Sequence, residues 1–440
     1  MLYTLKNNPN MIYSLPYILV KKGGRNMENN TDNMSVYDDL VWRELIQDIS
    51  SEDLIEKLND GGITFYLGTD PTADSLHIGH YSTFLVAKRL EKAGHNPILL
   101  VGAATGLVGD PRGTGEREKI QVETLENNYT KLKAQVESLF KIKSVNNYDW
   151  FKTFNYIDFL RDYGKYINVN YMLAKDLVRR QLETGISYAE FSYMLIQGVD
   201  YKYLHDNYGV TLQIGGSDQW GNLTTGLEII RKLTGNEVYA FSIPLATDSQ
   251  GKKMGKSEGN AVWLDINKTS SYELYQYLIN LEDSMMEAYL KRFTFLKRSE
   301  IEDILKQQNE APEKRIAQET LAHEVIRDIH GEEEYQKAVN ISKSLFSGDI
   351  KALPIDEIGK IFANADHIEV SENINIVDLL ADNKICSSKR EAREFITAGS
   401  ITINGDKITD TELNITKDIT LGNKYLVIRK GKKKYFLGVL

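Results

Sequence analysis

Cysteine is almost missing from this chain. The single one, Cys386, rules out an internal disulfide and a cysteine-held metal cluster. It suits a reducing compartment, so a cytoplasmic protein is expected. No apolar run approaches the roughly 20 residues that a membrane-spanning helix needs, so no membrane partner is expected. A secretory signal is lacking as well. The apolar patch Met11 to Val20 is broken by Ser14 and Pro16, Lys21-Lys22 follow it rather than precede it, and no small-residue cleavage site appears. Residues 1–34, rich in Asn, Tyr, Lys and Gly, fit no fold and read as a disordered leader, with Met27 or Met34 as alternative starts. Overall positive charge is absent too, since the net charge is −9. That value argues against a nucleic-acid partner until its distribution is considered. Residues 374–440 carry twelve Lys and Arg against eight Asp and Glu, which makes the tail +4 and the remainder −13. A basic tail on an acidic body suggests localised contact with phosphates.

The 440 residues are 42% apolar and 26% charged, ordinary for a globular protein and enough for two to four domains. The most informative stretch is Tyr66-Leu-Gly-Thr-Asp-Pro-Thr-Ala-Asp-Ser-Leu-His-Ile-Gly-His80. It reads as a strand (63–67), a turn at Asp70-Pro71 and Ala73-Asp74-Ser75, and a helix running from His80 to Leu90 and closed by Gly94. A helix N-terminus after a strand attracts phosphate through free N–H groups and the macrodipole. His77 and His80 can add side-chain donors, and Gly79 lets a flat ring approach the backbone. Far downstream lies Lys253-Met254-Gly255-Lys256-Ser257, flanked by Gly251 and Gly259. A histidine pair alone usually packs or sits on the surface, and a lysine loop alone is usually a solvated charge run. Together they suggest two sides of one polyphosphate site. The loop is not a Walker motif, because that pattern needs glycine where Gln250 stands.

Between these stretches the apolar run Ile98–Val101 reads as a buried parallel strand, and with the preceding helix it forms a βαβ unit. Residues 120–205 are mostly helical and aromatic, chiefly core. Near 187–203 a helix carries Tyr193, Gln197 and Asp200 at i, i+4 and i+7, so one face is polar, as a ligand pocket requires. A strand at 209–214 runs into Gly215-Gly216, with Ser217 or Asp218 expected to cap the next helix. The strand Val238–Ala246 leads into the lysine loop. The tail reads as a helix at 377–380, a helix with a Ser388/Glu391 capping box, a hairpin turning at Asn404-Gly405, and a basic strand end with Tyr435 available for stacking.

The two phosphate-type stretches resemble the HIGH and KMSKS motifs of class I aminoacyl-tRNA synthetases. The blocks Asp110-Pro111, Asn170-Tyr-Met-Leu-Ala-Lys175, Phe191-Ser-Tyr-Met-Leu-Ile-Gln197 and Gln213-Ile-Gly-Gly-Ser-Asp-Gln-Trp-Gly-Asn222 narrow the resemblance to tyrosyl-tRNA synthetases of the bacterial type, from about Val41 to the C-terminus. The resemblance implies an α/β fold. A Rossmann-like parallel-sheet catalytic domain would span 35–265, with a connective insertion (about 120–205) that forms a homodimer interface. An α-helical domain (266–350), a linker (351–373) and a small α+β S4-like RNA-binding domain (374–440) would follow.

It further implies tyrosine activation by ATP, with Mg2+ travelling with the nucleotide and no metal bound by the protein itself, and then charging of tRNA(Tyr). Thr72, His77, His80, Lys253, Lys256 and Ser257 would act on the phosphates. Tyr66 and Asp200 would bind the substrate phenol, Asp110, Tyr193 and Gln197 its ammonium, and Gln219 would lie near its carboxylate. Asp70, Gly79, Thr83, Gly216 and Asp218 would contact ATP beside the two histidines and Lys256. Lys389, Arg390, Arg393, Lys432, Lys433 and Lys434 would contact tRNA. Three positions depart from the pattern: Leu67 stands where some members have a ribose-contacting cysteine, the loop Gly113–Arg117 is one residue short and lacks a lysine, and Gly255 replaces a serine. Rival readings are a tryptophanyl enzyme on the same scaffold, a catalytically idle RNA-binding protein, and another nucleotidyl transferase.

Overall fold

The computed structural model describes residues 18–19, 32–110, 120–183, 185–254, 256–257, 260–362, 365–431 and 434–440. The chain divides into two compact units, one of residues 1–268 with 281–324 and one of residues 269–280 with 325–440.

The first unit is built on a sheet of β1 (Ile18–Leu19), β2 (Asp48–Ile49), β3 (Thr64–Thr69), β4 (Asn96–Val101), β5 (Lys143–Asn146), β6 (Leu212–Gly216) and β7 (Tyr239–Ile243). Their order across the sheet is β1-β2-β7-β6-β3-β4-β5. The strands from β3 to β7 are parallel to their neighbours, while β2 runs antiparallel to β7 and β1 antiparallel to β2. The central strands are covered on both faces, and Phe65, Tyr66, Leu67, Leu99, Leu212, Ile214 and Phe241 are all buried. That explains their unbroken apolar runs. From β3 the chain moves outward to β4 and β5 on one side, then crosses back to β6 and β7 on the other. The sheet therefore has its switch point between β3 and β6, where a crevice opens beyond the strand ends.

The expected elements are present with shifted ends. The strand expected at 63–67 runs to Thr69, and the helix after it is Ile78–Lys92, two residues earlier than its apolar pattern suggests. His77 is its N-cap. The strand expected at 209–214 starts only at Leu212, because Gly209 adopts φ 67° as the left-handed cap of the preceding helix Tyr188–Tyr208. Ser217 and Asp218 do not cap a helix. They form a 3-10 turn with Gln219, and the α-helix Trp220–Thr234 begins after it without a side-chain cap. In the leader, expected to fit no fold, Ile18–Leu19 pair with β2. Loop residues 113–117 lie outside the described residues.

The polar-faced helix Tyr188–Tyr208 is capped by Ser187, whose hydroxyl accepts from the Glu190 N–H. It packs closely on Trp220–Thr234 through two glycines. A Cβ on Gly198 would meet Ile229 Cδ1 at 2.6 Å, and one on Gly226 would meet Tyr201 Cδ1 at 2.7 Å. Tyr201 cannot give way, because its hydroxyl donates to Tyr239 O at 2.8 Å.

In the second unit the helices Ser271–Ile279 and Glu332–Ser347 lie together, and Ser271 Oγ sits 2.9 Å from His330 Nδ1. Residues 281–324, expected in one helical domain with these, belong to the first unit. Between the units' sheets in chain order come the short antiparallel pair β8 (Lys256–Ser257) and β9 (Asn260–Ala261). The second unit then carries β10 (Asp366–Glu369), β11 (Ile374–Asn375), β12 (Ile401–Ile403), β13 (Asp406–Ile408), β14 (Asn414–Ile415), β15 (Tyr425–Lys430) and β16 (Lys434–Val439). Five of these form a sheet in the order β10-β16-β15-β12-β13. The stretch 351–373, expected as a linker, contributes helix Ile355–Ile361 and strand β10, which runs parallel to β16. Its Ile358 and Phe362 enter a core with Val427 and Leu437, which is why it is ordered. The hairpin turns at Asn404-Gly405 with φ 50° and 91°, as a two-residue turn requires. Glu391 accepts from Ser387 N–H rather than from Ser388, so the expected capping box closes only on the Ser388 side. The partly exposed Tyr435 ring packs on Phe362 with centroids 5.5 Å apart. Among the described residues no helix is long and apolar enough to cross a membrane.

Gly226→Ala gains about 1 kcal/mol of helix propensity but drives a methyl into a tethered ring, at a cost of about 1–3 kcal/mol. A net loss of stability is expected, read as a lower midpoint in urea unfolding.

Candidate active site

A cavity of about 430 Å³ occupies the crevice at the switch point. Its wall includes Tyr66, Asp70 and Thr72 from the end of β3, His77, Gly79, His80 and Thr83 from the following helix, and Asp110 after the Ala103–Val108 helix. Tyr193, Gln197 and Asp200 enter from the polar-faced helix, Gly216, Asp218 and Gln219 from the end of β6, and Lys253 from the lysine loop. Every sequence-predicted catalytic, tyrosine-binding and ATP-binding residue whose side chain is described therefore lines one space. Lys256 and Ser257 are described only as backbone in β8, and Lys432 and Lys433 lie outside the described residues. Lys389, Arg390, Arg393 and Lys434 belong to the second unit.

The histidine pair is set by backbone chemistry. Gly79 N–H donates to His77 Nδ1 at 3.1 Å and His77 N–H donates to His80 Nδ1 at 3.2 Å. An accepting Nδ1 puts the proton of the neutral ring on Nε2, where it can be donated to an oxyanion. The rings stack at 3.9 Å. Gly79 is required here for a reason beyond ligand approach, because a Cβ would lie 2.9 Å from the His77 ring. Behind the helix start, Ile78 N–H donates to Val262 O and Leu264 N–H donates to Leu76 O, so the chain leaving the lysine loop zips along it. Asp74, in the turn, pairs with Lys131 at 3.0 Å and with Lys268. These two partners hold its carboxyl at about 2.

The floor of the cavity is buried and polar. Asp200 is fully buried, accepting from Trp150 Nε1 at 2.9 Å and from Asn147 Nδ2 at 3.1 Å. Burial pushes its carboxyl well above the usual range, and these two bonds oppose the rise. Tyr66 Oη is buried with no hydrogen-bond partner. Burial, with Asp200 nearby, raises that phenol well above its ordinary value. Buried hydroxyls are rarely left unsatisfied, so this one sets the cavity floor apart from an ordinary core. Higher in the cavity Asp110 accepts from Gln219 Nε2 at 2.9 Å and from Asn222 Nδ2 at 3.3 Å. Gln219 was expected near a substrate carboxylate, yet here its amide is engaged by Asp110. Asp70 accepts from Thr105 Oγ1 at 2.8 Å and from Tyr193 Oη at 3.1 Å, so it ties the end of β3 to two helices. At the mouth Lys253 Nζ pairs with Asp218 Oδ2 at 3.0 Å.

Four supporting residues escaped the sequence reading: Asn147, Trp150, Thr105 and Asn222. Two had signals. Asn222 stands three positions after Gln219 at the start of a helix, and Trp150 carries an indole N–H that must find a partner when buried. Nothing in the sequence pairs Asn147 or Thr105 with residues so far away.

Residues 58–347 match the family described as tRNA synthetases class I (W and Y), and residues 357–438 match the tyrosine–tRNA ligase SYY-like C-terminal domain. The tyrosine–tRNA ligase of Streptococcus agalactiae is 48% identical over 415 residues, covering 92% of this chain and 99% of that protein. That of Streptococcus gordonii is 47% identical over 415 residues with the same coverage of both chains. Among solved structures, a C-terminally truncated mitochondrial tyrosyl-tRNA synthetase from Aspergillus nidulans aligns with TM-score 0.65 and 32% identity, over 71% of this chain and 94% of that one.

Tyr66→Phe removes a hydroxyl that no protein group satisfies. It is expected to leave thermal stability unchanged or raise it by up to about 1 kcal/mol, where a hydroxyl with a protein partner would cost that much to remove. Asp74 has a folded pKa below its unfolded one, so its contribution is present above about pH 4 and fades as pH falls towards about 2. Asp74→Asn is accordingly expected to lower stability at neutral pH by about 1 kcal/mol, with the gap to the native chain closing in acid unfolding curves.

Proposed function

The chain belongs to the class I tRNA synthetases and, within them, to the tyrosine–tRNA ligases, and from that premise we propose how its site activates tyrosine and charges tRNA. The substrates are tyrosine, ATP and tRNA. A carboxylate oxygen of tyrosine attacks the α-phosphorus of ATP. The bond from that phosphorus to the bridging oxygen breaks, giving tyrosyl-adenylate and pyrophosphate. A hydroxyl of the tRNA 3′-terminal adenosine then attacks the tyrosyl carbonyl and AMP leaves. The attacking groups belong to the substrates, so the protein's part is positioning and stabilisation of charge.

The observation that carries this reading is Tyr66 Oη, buried without a partner in the same cavity as Asp200, the histidine pair and Lys253. A substrate phenol between Tyr66 and Asp200 supplies the missing bond, and phenylalanine leaves the hydroxyl and the carboxylate uncompensated. Asp110, held by Gln219 and Asn222, is the anionic partner for the substrate ammonium, with Tyr193 and Gln197 beside it. Gly216 and Asp218 take the ribose, with Thr83 and Asp70 on the facing wall. His77, His80, Thr72, Lys253, Lys256 and Ser257 bear on the departing phosphates. Mg2+ enters as a ligand of those phosphates, as part of the nucleotide substrate.

In the second unit Lys389, Arg390, Arg393 and Lys434, with Lys432 and Lys433, form the basic set for the tRNA backbone. Lys389 pairs with Asp378 at 2.8 Å, Arg390 with Glu394 at 3.1 Å and Lys434 with Asp366 at 3.2 Å. Exposed pairs of this kind contribute at most about 1 kcal/mol, so the cations are readily redirected to phosphates. Homodimerisation belongs to the same proposal. Its support is the exposed apolar residues of the insertion, Tyr156, Ile157, Val169, Leu182 and Tyr188, between 50% and 66% exposed. A cytoplasmic location is part of the reading as well, in keeping with the lone reduced Cys386.

The test is amino-acid-dependent exchange of pyrophosphate into ATP with tyrosine, tryptophan and phenylalanine. Exchange with tyrosine is expected, and exchange with tryptophan alone would contradict the assignment. The triple variant Lys389→Ala, Arg390→Ala, Arg393→Ala should keep that exchange and lose about tenfold or more in tRNA charging at low salt, with the gap to the native chain narrowing as salt rises.

A further inference from the structure

The helix Met286–Phe293, in the stretch expected as part of an α-helical domain, is bolted to both phosphate-facing walls of the cavity. Its Tyr289 is 2% exposed, and the phenol donates to Thr247 O at 3.0 Å. Thr247 is the cross-strand partner of Lys253. Around that pair Met254 N–H donates to Ala246 O at 2.8 Å and Asp248 N–H to Lys252 O at 2.8 Å, so residues 246–254 form a tight hairpin that presents Lys253 at its edge. The Tyr289 bond holds this hairpin by its base.

One turn further on, Arg292 Nη1 donates to Pro244 O at 2.7 Å and to Ser82 Oγ at 3.1 Å. Pro244 follows β7, where the chain departs for the lysine hairpin. Ser82 is on the helix that begins at His77, between His80 and Thr83. A single guanidinium nitrogen thus spans the two segments that approach the phosphates. Phe293 stacks on Tyr81, beside His80, with centroids 6.1 Å apart and planes 4° apart.

The far end of the helix is fixed as firmly. Arg43 donates to Lys291 O at 3.0 Å, Thr294 O at 3.3 Å and Leu296 O at 2.6 Å, and Arg89 donates to Thr294 O as well. The last carbonyls of a helix carry its negative end, so they are suited to receive buried guanidinium groups. The helix is therefore a rigid strut, and Tyr289 and Arg292 are the points at which it acts on the site.

We propose that Tyr289 and Arg292 are positioning residues for adenylate formation: neither touches substrate, and together they set the distance between Lys253 and the His77–His80 helix terminus. The proposal rests on the functional reading above. Charge develops on the departing phosphates mainly in the transition state, so a loosened hairpin should slow the chemical step and spare tyrosine binding, which uses the opposite end of the cavity.

The test is a double-variant cycle on the full chain, with the rate of tyrosyl-adenylate formation measured in single turnover at saturating substrates and tyrosine affinity measured by equilibrium dialysis. Tyr289→Phe, which removes one hydroxyl, is expected to slow adenylate formation about five- to tenfold and to leave tyrosine affinity within about twofold. In a Lys253→Ala background the same change should cost less than about twofold, because the group it positions is gone. Arg292→Lys should retain more of the rate than Arg292→Met. If Arg292→Met fails to fold, the Tyr289 cycle decides alone. An equal loss in both backgrounds, no loss in either, or a parallel loss of tyrosine affinity would overturn the proposal. A native chain that forms no tyrosyl-adenylate would overturn the functional reading and the proposal with it. A fully active native chain with an unaffected Tyr289→Phe variant overturns the proposal only.

Discussion

The divergence of the chain on either side of β3 is the constraint from which the site follows. β3 hydrogen-bonds to β4 on one side and β6 on the other, and all three run the same way. The segments leaving β3 and β6 must therefore part at the same edge of the sheet, and the gap between them cannot be filled by a crossover. Each wall then turns from a strand end into a helix, at His77 on one side and through Ser217–Gln219 on the other. Backbone donors and small residues face each other across a space whose floor is made by the third element in reach, the Tyr188–Tyr208 helix. The Gly198 and Gly226 contacts matter for this reason. They let that helix sink far enough onto Trp220–Thr234 to bring Tyr193, Gln197 and Asp200 under the gap.

Polarity inside the cavity is graded with depth. At the bottom the Asp200 carboxyl is oriented by an indole and an amide, both neutral donors. Midway, Asp110 and Asp70 are oriented by amides and hydroxyls. At the mouth a carboxylate meets a lysine. In the proposed function, the phenol, ammonium and phosphates of the substrates would each meet a group of one of these levels, and that sequence of groups would set their orientation.

Much of this was legible in the residue order, because the elements near the site obey local rules. The βαβ unit announces itself by apolar runs and turn glycines, and the polar face of one helix follows from simple i, i+4, i+7 spacing. Element ends were less legible. Gly209 looks like the first residue of a strand, but it is the left-handed end of a helix, and only the length of the preceding helical pattern could have told the two apart. Support from a distance was not legible at all. Asn147 reaches Asp200 across 53 positions and Tyr289 reaches Thr247 across 42, and no periodicity encodes such pairs. The stretch 351–373 failed for a related reason. Its Leu353, Ile358 and Phe362 are ordered by burial against Val427 and Leu437, on strands β15 and β16 that come much later in the chain.

Under the proposed function, the Lys253–Asp218 pair bears on which anions enter the cavity. An incoming group that brings only negative charge, such as free inorganic phosphate, has to draw the lysine away and leaves the aspartate with nothing in exchange. A nucleotide brings both halves of the trade, since its sugar hydroxyls can engage the carboxylate as its phosphates claim the ammonium. The two side chains are 53% and 42% exposed, so the contact yields at small cost. In that proposal Asp218 is a built-in counter-ion for Lys253, one that a sugar–phosphate would displace more easily than a bare anion.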